Sequence, residues 1–288
     1  MINSNAMCHP LCLPFDCREI DSRTAGKLRE TVTHYFAEIL MVREGTAQIL
    51  LDHEELTAHS GEAIVICPGA RHQVSFGEKN PTRMTLLRMD PDRLAPLPDY
   101  SPGLKAILSE ARREKAPMLI PAEDAAEMEM PRLTDHCLTE TRNGRFGYDY
   151  SIAAGLGILC LRVIRFWMER GLKLPRRENH SDPIYSLSGY VQNHLRETLR
   201  VEDLAEKCGL SYPWFAKKFR EIYGVSCKEY IEQIRVARVE QYLLFTGMDL
   251  TQISEATGYA DCSHMIKNFK RLRGITPGQY RLQRQKEN

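Results

Sequence analysis

The sequence predicts an α+β protein of two domains, in which a β-rich part with helices behind it precedes an all-helical part. Between Ala37 and about Arg88, short apolar runs alternate with turn residues, which is typical of an antiparallel barrel or sandwich. From Gly103 onward the apolar residues recur at helical spacing instead. Beyond residue 183 one helical pattern occurs twice. At 288 residues the chain is long enough to fill two cores.

Five runs are predicted as strands, because each is short, apolar and bounded by turn residues. They are Glu38–Val42, Ala47–Leu51, Ala63–Ile66, His72–Phe76 and Arg83–Met89. Behind them we expect a helix from Leu104 to Ala111 and another around Ala125–Glu140, which Pro131 bends or interrupts.

A long helix is predicted at Tyr150–Arg170, and it is apolar on two sides. One stripe holds Ile152, Leu156, Leu159, Val163, Phe166 and Trp167, and the other holds Ile158, Leu161, Ile164 and Met168. Such a helix usually packs against its own domain on one side and against a partner on the other. The alternative is a helix buried completely within one subunit.

We assign residues 7–170 to the first domain and residues 184–288 to the second. Residues 171–183 are rich in Pro, Arg and polar residues and are interpreted as the linker. Residues 1–6 are left out, because Ser4-Asn5-Ala6 before Met7 resembles a tag remnant. The second domain is predicted to contain helices over Ser186–Leu195, Val201–Cys208, Ser211 (as N-cap) to Tyr223, Cys227–Phe245, Leu250–Thr257 and Ser263–Arg273, and a last helix from Pro277.

The repeated pattern is that of a helix-turn-helix. In the first copy Leu204-Ala205 precedes Gly209, and in the second Ile253-Ser254 precedes Gly258 at the same distance. The small residue lets two helices approach closely, and the glycine permits a left-handed turn between them. Two such units on one chain are expected to read two adjacent major-groove faces of DNA.

The spacing of the two copies is compatible with double-stranded DNA. The connector Cys227–Phe245 would span roughly 28 Å at about 1.5 Å per residue, while successive major-groove faces lie about 34 Å apart. Some bending of the DNA is therefore expected. Residues 183–288 hold 16 basic and 12 acidic side chains, against 23 and 26 in the rest of the chain. The basic excess thus coincides with the repeat.

The outward sides of the two reading helices supply the candidate DNA contacts. Lys217 and Lys267 are long donors placed to reach base edges. Cations nearer the helix ends are expected at phosphates, which fix position without reading sequence. The whole set is Tyr212, Pro213, Ala216, Lys217, Arg220, Cys262, Ser263, His264, Lys267, Asn268, Lys270, Arg271 and Arg273. The alternative, helical bundles with solvated lysines, is disfavoured by the two matched copies.

Residues 201–281 resemble the DNA-binding domain of the AraC/XylS transcription regulators. The residues that carry the resemblance are Gly258-Tyr259, Phe269-Lys270, Gly274-Ile275-Thr276-Pro277 and Tyr280-Arg281, with Arg235, Leu243 and Leu244 in the connector. The chain departs from the family at Ser254, usually alanine, and at His264-Met265, where an aromatic residue is usual. The resemblance places base reading on Pro213, Ala216 and Lys217 in the first unit and on Cys262, His264 and Lys267 in the second. Proline and alanine donate no side-chain hydrogen bonds, so the first unit is expected to read few bases.

Residues 31–90 are similar to the small cupin-like barrel that family members often carry, followed by helices that dimerise. The resemblance rests on His34, Glu38-Ile39, Gly45, Gly61-Glu62, Pro68-Gly69 and His72. It implies that the barrel senses an effector and that the chain forms a homodimer.

His34, Glu38 and His72 could meet inside such a barrel, and three interpretations remain open. With Arg71 they line a pocket for a small polar or anionic effector, or they satisfy hydrogen bonds of the barrel. Two histidines and a carboxylate are also sufficient ligands for a transition metal, although the dense His-x-His cluster of metal-binding cupins is absent. We assign the four residues to effector binding and expect no metal and no cofactor.

The sequence therefore predicts a cytoplasmic transcription activator without enzymatic activity. Its expected partners are double-stranded DNA, a small-molecule effector, RNA polymerase and a second copy of the chain. No membrane association is expected, because no apolar run approaches about eighteen residues and no signal peptide is visible. The nine cysteines lack regular spacing, and Cys8, Cys12 and Cys17 with His9 fit no zinc motif. The alternative is a cupin-type metalloenzyme or metal sensor fused to a DNA-binding module.

Overall fold

The computed structural model describes residues 13–24, 31–76, 81–94, 101–175, 184 and 187–287. Its contacts divide the chain into two compact units, Met1–Ser181 and Asp182–Asn288. Cys8, His9 and Cys12 lie outside the described residues, as do residues 176–183 of the predicted linker. Cys17 is buried.

Within the described residues, the N-terminal unit contains eight strands in two antiparallel sheets. The first sheet has the order β1-β7-β2-β5-β8 and the second the order β4-β3-β6. The strands are β1 (Phe15–Asp21), β2 (Ala37–Glu44), β3 (Thr46–Leu51), β4 (Glu54–His59), β5 (Ala63–Ile66), β6 (His72–Phe76), β7 (Arg83–Met89) and β8 (Leu119–Ile120). All five predicted strands are confirmed, and β5, β6 and β7 have the predicted bounds.

Three strands, β1, β4 and β8, were not predicted because their apolar signal is weak. β4 is an edge strand in which only Ala58 is buried. β1 alternates charged residues with buried Phe15 and Cys17. β8 has only two residues. Pairing with a neighbouring strand, which a single run does not reveal, holds each of them in a sheet.

Both faces of the first sheet are buried, and they face different cores. On β2, Leu40 and Val42 join the core between the two sheets, whereas Ile39 and Met41 join the core under the helices. The alternation of side chains along a strand produces this division. Glu38 has the same parity as Leu40, so it belongs on the inner face between the sheets.

Four helices of the N-terminal unit cover the first sheet: α1 (Leu104–Arg113), α2 (Ala122–Glu127), α3 (Met130–Asn143) and α4 (Tyr148–Glu169). The helix expected around Ala125–Glu140 is therefore two helices. The chain turns at Glu129, which has a left-handed φ of 50°. Pro131 lies in the first turn of α3, where a missing N–H leaves no intrahelical bond unmade.

The helix α4 confirms one apolar stripe as core and leaves most of the other exposed. Ile152, Leu156 and Trp167 are fully buried. In the second stripe Ile164 is buried, but Ile158, Leu161 and Met168 are between 42% and 46% exposed. By length and composition alone α4 could cross a membrane, yet half of its apolar window is buried inside the unit.

The C-terminal unit is helical throughout the residues described there. Its helices are α5 (Leu187–Asn193), α6 (Val201–Lys207), α7 (Tyr212–Tyr223), α8 (Cys227–Phe245), α9 (Leu250–Ala256), α10 (Cys262–Arg273) and α11 (Pro277–Glu287). The predicted connector is confirmed with its exact bounds as α8. The helices predicted before and after it are also present, with ends that differ by one or two residues.

The internal repeat extends beyond the two helix-turn-helix segments. Both α7 and α10 end at a left-handed glycine, Gly224 and Gly274. The helix that follows each of them begins with reciprocal capping, which Ser226 and Glu229 provide for α8. Thr276 and Gln279 make the same pair of bonds at the start of α11. Each copy is thus closed by the same cap.

Candidate nucleic-acid interface and barrel site

The turns of the two helix-turn-helix units have the conformation that their glycines permit. Gly209 between α6 and α7 has a φ of 66°, and Gly258 between α9 and α10 has a φ of 74°. The small residues ahead of them, Ala205 and Ser254, are both buried. The predicted close approach of the helices and the left-handed turn are therefore present in both units.

In α7, Phe215 and Phe219 are fully buried. The third residue of the inner face is Tyr223, which is 1% exposed, whereas Ile222 is only half-buried. Tyr223 stacks on Phe219 with ring centroids 4.3 Å apart, so aromatic packing fixes the end of the helix.

The outer face of α7 presents most of the residues that the sequence indicated. Tyr212, Pro213, Lys217 and Arg220 are exposed, and Ala216 is half-buried. Ser211 occupies the N-cap position, but its hydroxyl makes no capping hydrogen bond.

Trp214 belongs to this outer face and was missed by the sequence reasoning. Its side chain is 53% exposed, and the Lys217 ammonium lies 5.8 Å from the centre of its indole ring. A signal was available, since Trp214 precedes Lys217 by three residues and so shares its face of the helix. An exposed indole beside a lysine can contact sugars and thymine methyl groups as well as phosphates.

In α10, Met265 and Phe269 face the core. The exposed residues of the helix are Ser263, His264, Lys267, Lys270 and Arg271, while Cys262 is half-buried. Asp261 caps the helix by accepting a 2.7 Å hydrogen bond from the backbone N–H of His264. The helix therefore begins at the residues expected to reach the groove.

The expected outward orientation of Asn268 is wrong. Asn268 is 7% exposed, and its amide nitrogen lies 3.2 Å from Nε2 of His264. Asn268 follows His264 by one helical turn, so its amide can donate to the imidazole from beneath. Asn268 thus orients His264, whose other ring nitrogen is left to carry the proton.

The expected phosphate contact of Arg273 conflicts with its position. Its Nε and Nη2 donate to the two carboxylate oxygens of Glu240 on α8, at 2.6 and 2.8 Å. Arg273 follows Phe269 by four residues, which turns it toward the connector. Arg271 pairs with Glu232 at 2.6 Å but remains 51% exposed, so it can still exchange that carboxylate for a phosphate.

The three residues predicted to meet inside the barrel do meet. His34 precedes β2, Glu38 lies on β2 and His72 begins β6, so they bridge the two sheets. Nε2 of His34 lies 3.3 Å from Oε1 of Glu38, and Nε2 of His72 lies 3.3 Å from Oε2. The three side chains are at most 5% exposed.

Arg88 completes this cluster and was not predicted. It lies opposite Glu38 on the neighbouring strand β7, and its Nε donates to Oε1 of Glu38 at 2.9 Å. Burial raises the pKa of the Glu38 carboxyl, but His34 and His72, when their Nε2 atoms carry protons, together with Arg88 outweigh burial and hold that pKa well below its usual range. Glu38 is therefore a carboxylate.

Arg71 does not belong to the cluster. Its side chain is exposed, whereas the adjacent His72 is fully buried, because neighbouring residues of an extended chain point to opposite sides. The backbone N–H of Arg71 donates to Oδ1 of Asp52 at 3.0 Å, which holds the turn after β3. The expectation that Arg71 lines the same pocket as His34, Glu38 and His72 is therefore wrong.

Comparison with known protein families decides the identity of both units. The description "AraC-like ligand binding domain" matches residues 19–118, and the description "Helix-turn-helix domain" matches residues 204–283. The chain belongs to the AraC family. It is a DNA-binding transcription regulator with an N-terminal ligand-binding domain.

Two curated relatives match this chain over most of its length. The HTH-type transcriptional activator RhaS of Escherichia fergusonii is 22% identical over 248 residues, which are 86% of each chain. The uncharacterized HTH-type regulator YisR of Bacillus subtilis is 23% identical over 252 residues, which are 85% of each chain. Among solved structures, an apo variant of ToxT from Vibrio cholerae has a TM-score of 0.42 at 13% identity, covering 93% of this chain and 97% of that one.

Proposed function

We propose that α7 and α10 of this AraC-family regulator enter successive major grooves on one side of the duplex. The 19 residues of α8 hold the two units apart by roughly 28 Å, close to the groove repeat of about 34 Å. The exposed residues of both helices support the proposal. Arg220, Lys270 and Arg271 contact phosphates, while Lys217, His264 and Lys267 reach base edges.

The two units are expected to contribute unequally to specificity. Pro213 and Ala216 offer no side-chain donor, and the exposed Trp214 and Tyr212 favour apolar contacts. α10 instead offers the imidazole of His264, which Asn268 holds, and the exposed side chain of Lys267. The second unit therefore reads more bases by hydrogen bonds than the first.

The exposed stripe of α4 is the surface we propose for homodimerisation. It runs through Ala154, Gly157, Ile158, Leu161 and Met168 on one side of the helix, and the exposed Arg165 lies on the same side between Leu161 and Met168. The small residues at the start of the stripe allow two helices to pack closely, and the apolar side chains that follow supply buried area. A second copy of α4 satisfies both conditions.

The remaining features complete the proposal. The chain acts in the cytoplasm as an activator that contacts RNA polymerase, and it has no enzymatic activity. A small effector binds at the polar end of the barrel interior, where His34, Glu38 and His72 meet. Binding shifts the population between arrangements that do and do not allow two subunits to engage adjacent half-sites.

Selection of bound sites from random duplexes tests the proposed function. The full chain should enrich paired motifs, and the information content should be higher in the half of each motif that α10 reads. Recovery should fall steeply with salt, because phosphate neutralisation releases counterions. Enrichment of no motif by a folded protein, at any salt concentration, contradicts the proposal.

A further inference from the structure

Three side chains at the polar end of the barrel interior have the composition of a metal site. One nitrogen from His34, one from His72 and one oxygen from Glu38 all lie within 4.8 Å of one another. None of the three residues is more than 5% exposed. Within the described part of the chain, three of their atoms have no hydrogen-bond partner: Nε2 of His34, Nε2 of His72 and Oε2 of Glu38. Buried polar atoms left in this state require an explanation.

The contacts of Nδ1 in each ring explain why Nε2 faces a carboxylate without a hydrogen bond to it. Nδ1 of His34 lies 3.0 Å from the carbonyl oxygen of Phe36, and Nδ1 of His72 lies 3.2 Å from that of Ala70. A carbonyl only accepts, so each Nδ1 carries the hydrogen and donates it. In the neutral imidazole the Nε2 lone pair then points at the carboxylate of Glu38. Two lone pairs facing an anion are stabilised by a cation between them.

The distances suit a cation with short bonds to nitrogen and oxygen. Ligands at about 2.0–2.2 Å from one ion in tetrahedral geometry lie roughly 3.3 Å from each other. The contacts of Glu38 with the histidines measure 3.3 Å each, Oε1 facing His34 and Oε2 facing His72. The longer separations in the group reach 4.8 Å, so coordination of one ion requires the two rings to move closer together.

The surroundings are those of a supported metal ligand set. Backbone carbonyls fix the tautomer of both histidines, and Arg88 holds Glu38 from the other side at 2.9 Å. The ring of His34 also stacks on Phe36 with centroids 3.7 Å apart. These contacts orient all three ligands before any ion arrives.

We propose that His34, Glu38 and His72 bind one divalent first-row transition-metal ion, with zinc as the reference case. Nitrogen and carboxylate oxygen in a 2:1 ratio suit zinc, iron, cobalt and nickel, and three protein ligands leave a position for water or a small ligand. The ion ties β2 of the first sheet to β6 of the second and to the segment before β2. Binding of the ion at this site would act as the effector signal, and this step rests on the function proposed above.

Cobalt titration of the full chain tests the site, because Co²⁺ reports its ligands by its visible absorption. After removal of metals with a chelator, one Co²⁺ per chain should bind with a low-symmetry spectrum, and Zn²⁺ should displace it. Glu38→Gln and His72→Gln should each weaken binding by more than about 100-fold, since even outer partners of a ligand cost 10–100-fold. His53→Gln, which removes an exposed histidine at the turn after β3, should leave affinity unchanged.

Two results would overturn the proposal. One is a folded wild-type chain that binds neither Co²⁺ nor Zn²⁺, as expected if protons on the two imidazoles fill the gap instead. The other is equal loss of affinity in His53→Gln and His72→Gln. Where a ligand variant fails to fold, the wild-type Co²⁺ spectrum decides. A chain that selects DNA sites yet binds no metal contradicts this inference alone and leaves the regulator function in place.

Discussion

Gly258 lies directly against the backbone of Leu195: a Cβ on Gly258 would stand 1.9 Å from the carbonyl oxygen of Leu195. Arg235 reinforces this junction, because its Nη2 donates to the same oxygen at 3.3 Å and to that of Glu197 at 3.1 Å. The turn of the second unit is therefore packed against the segment between α5 and α6. Gly209, its equivalent in the first unit, has nothing within 4 Å of the Cβ position.

Substitution of Gly209 and Gly258 should separate the energetic cost of a left-handed backbone from the cost of a steric clash. Gly209→Ala places a Cβ in a left-handed residue and should cost about 1–2 kcal/mol. Gly258→Ala carries the same cost and adds a backbone clash, so it should cost more than about 3 kcal/mol. Hydrogen exchange of α8 peptides in increasing urea measures the free energy of opening of this unit. Equal losses in the two variants would show that the Leu195 contact relaxes without cost.

The contrast between the glycines shows what the sequence could and could not predict. Spacing around Gly209 and Gly258 was sufficient to predict both turns, because a left-handed turn is a local property. The contact of Gly258 with Leu195 involves residues distant in sequence, and no local pattern encodes it. The same division holds for Asn268 and Arg273, whose neighbours on other elements decided their orientation.

The barrel site likewise combines residues that the sequence could predict with one that it could not. The meeting of His34, Glu38 and His72 was predictable from a resemblance that placed all three in one barrel. Arg88 escaped because its role depends on the register between β2 and β7, which sets it opposite Glu38. Arg88 points to the same inner face as Leu86, but this could be recognised only from the position of β7 between β1 and β2.

Lys267→Ala should identify a base-reading contact. The variant should weaken binding to a selected site by about 1–3 kcal/mol and relax preference at one base pair. Binding to random duplex should change little. Quantitative competition between the selected site and single-base variants of it measures both effects, with Lys173→Ala in the N-terminal unit as the control. Equal weakening on selected and random DNA would reassign Lys267 to a phosphate.

Arg273→Ala should instead act on stability. Its Nε and Nη2 donate to Glu240, and both side chains are less than a third exposed. Loss of the pair should cost about 1–2 kcal/mol in the C-terminal unit, with a similar loss for Glu240→Gln. The double variant should lose little more than either single one, because the two act through one interaction. A wild-type opening energy in Arg273→Ala, combined with weak binding to all DNA, would restore a phosphate role.

Asp90 should make the N-terminal unit less stable at neutral pH than in mild acid. Burial raises the pKa of its carboxyl from 3.8 to about 6, against the opposing charge of Arg93 and Lys105. The folded state therefore holds this proton more tightly than the unfolded state. The resulting stability is complete below about pH 4 and is lost as the pH rises through 6.

Asp90→Asn should remove the part of this dependence that Asp90 contributes, while burial, which also raises the pKa of the Asp92 carboxyl, leaves a dependence of the same sign. An amide can still accept the 3.0 Å hydrogen bond from the backbone N–H of Asp92, and it carries no charge to desolvate. At pH 7.5 the variant should be more stable than wild type by up to about 2–3 kcal/mol, and near pH 4 the gain should vanish. Urea unfolding followed by the fluorescence of buried Trp167, in a Trp214→Phe background, isolates this unit. A constant difference across the pH range would assign the effect to another group.

Two substitutions on α4 should dissociate the proposed homodimer without unfolding the subunit. Ala154 is exposed in the chain, so Ala154→Arg is accommodated by solvent in the monomer but buries an unpaired charge in a packed interface. Ala106→Arg is the matched control, since Ala106 is exposed on α1. Sedimentation equilibrium should show dimer dissociation that is easier by on the order of 100-fold for Ala154→Arg and unchanged for Ala106→Arg.

Gly157→Leu makes the same test by bulk rather than charge. A Cβ at Gly157 meets nothing within 4 Å inside the chain, and leucine favours a helix over glycine by nearly 1 kcal/mol. The monomer should therefore be as stable as wild type or more so, while two α4 helices can no longer approach closely. The variant should bind a single half-site normally but lose the preference for paired half-sites. If it remained a dimer with unaltered preference for paired sites, the exposed stripe of α4 would not be the contact between subunits.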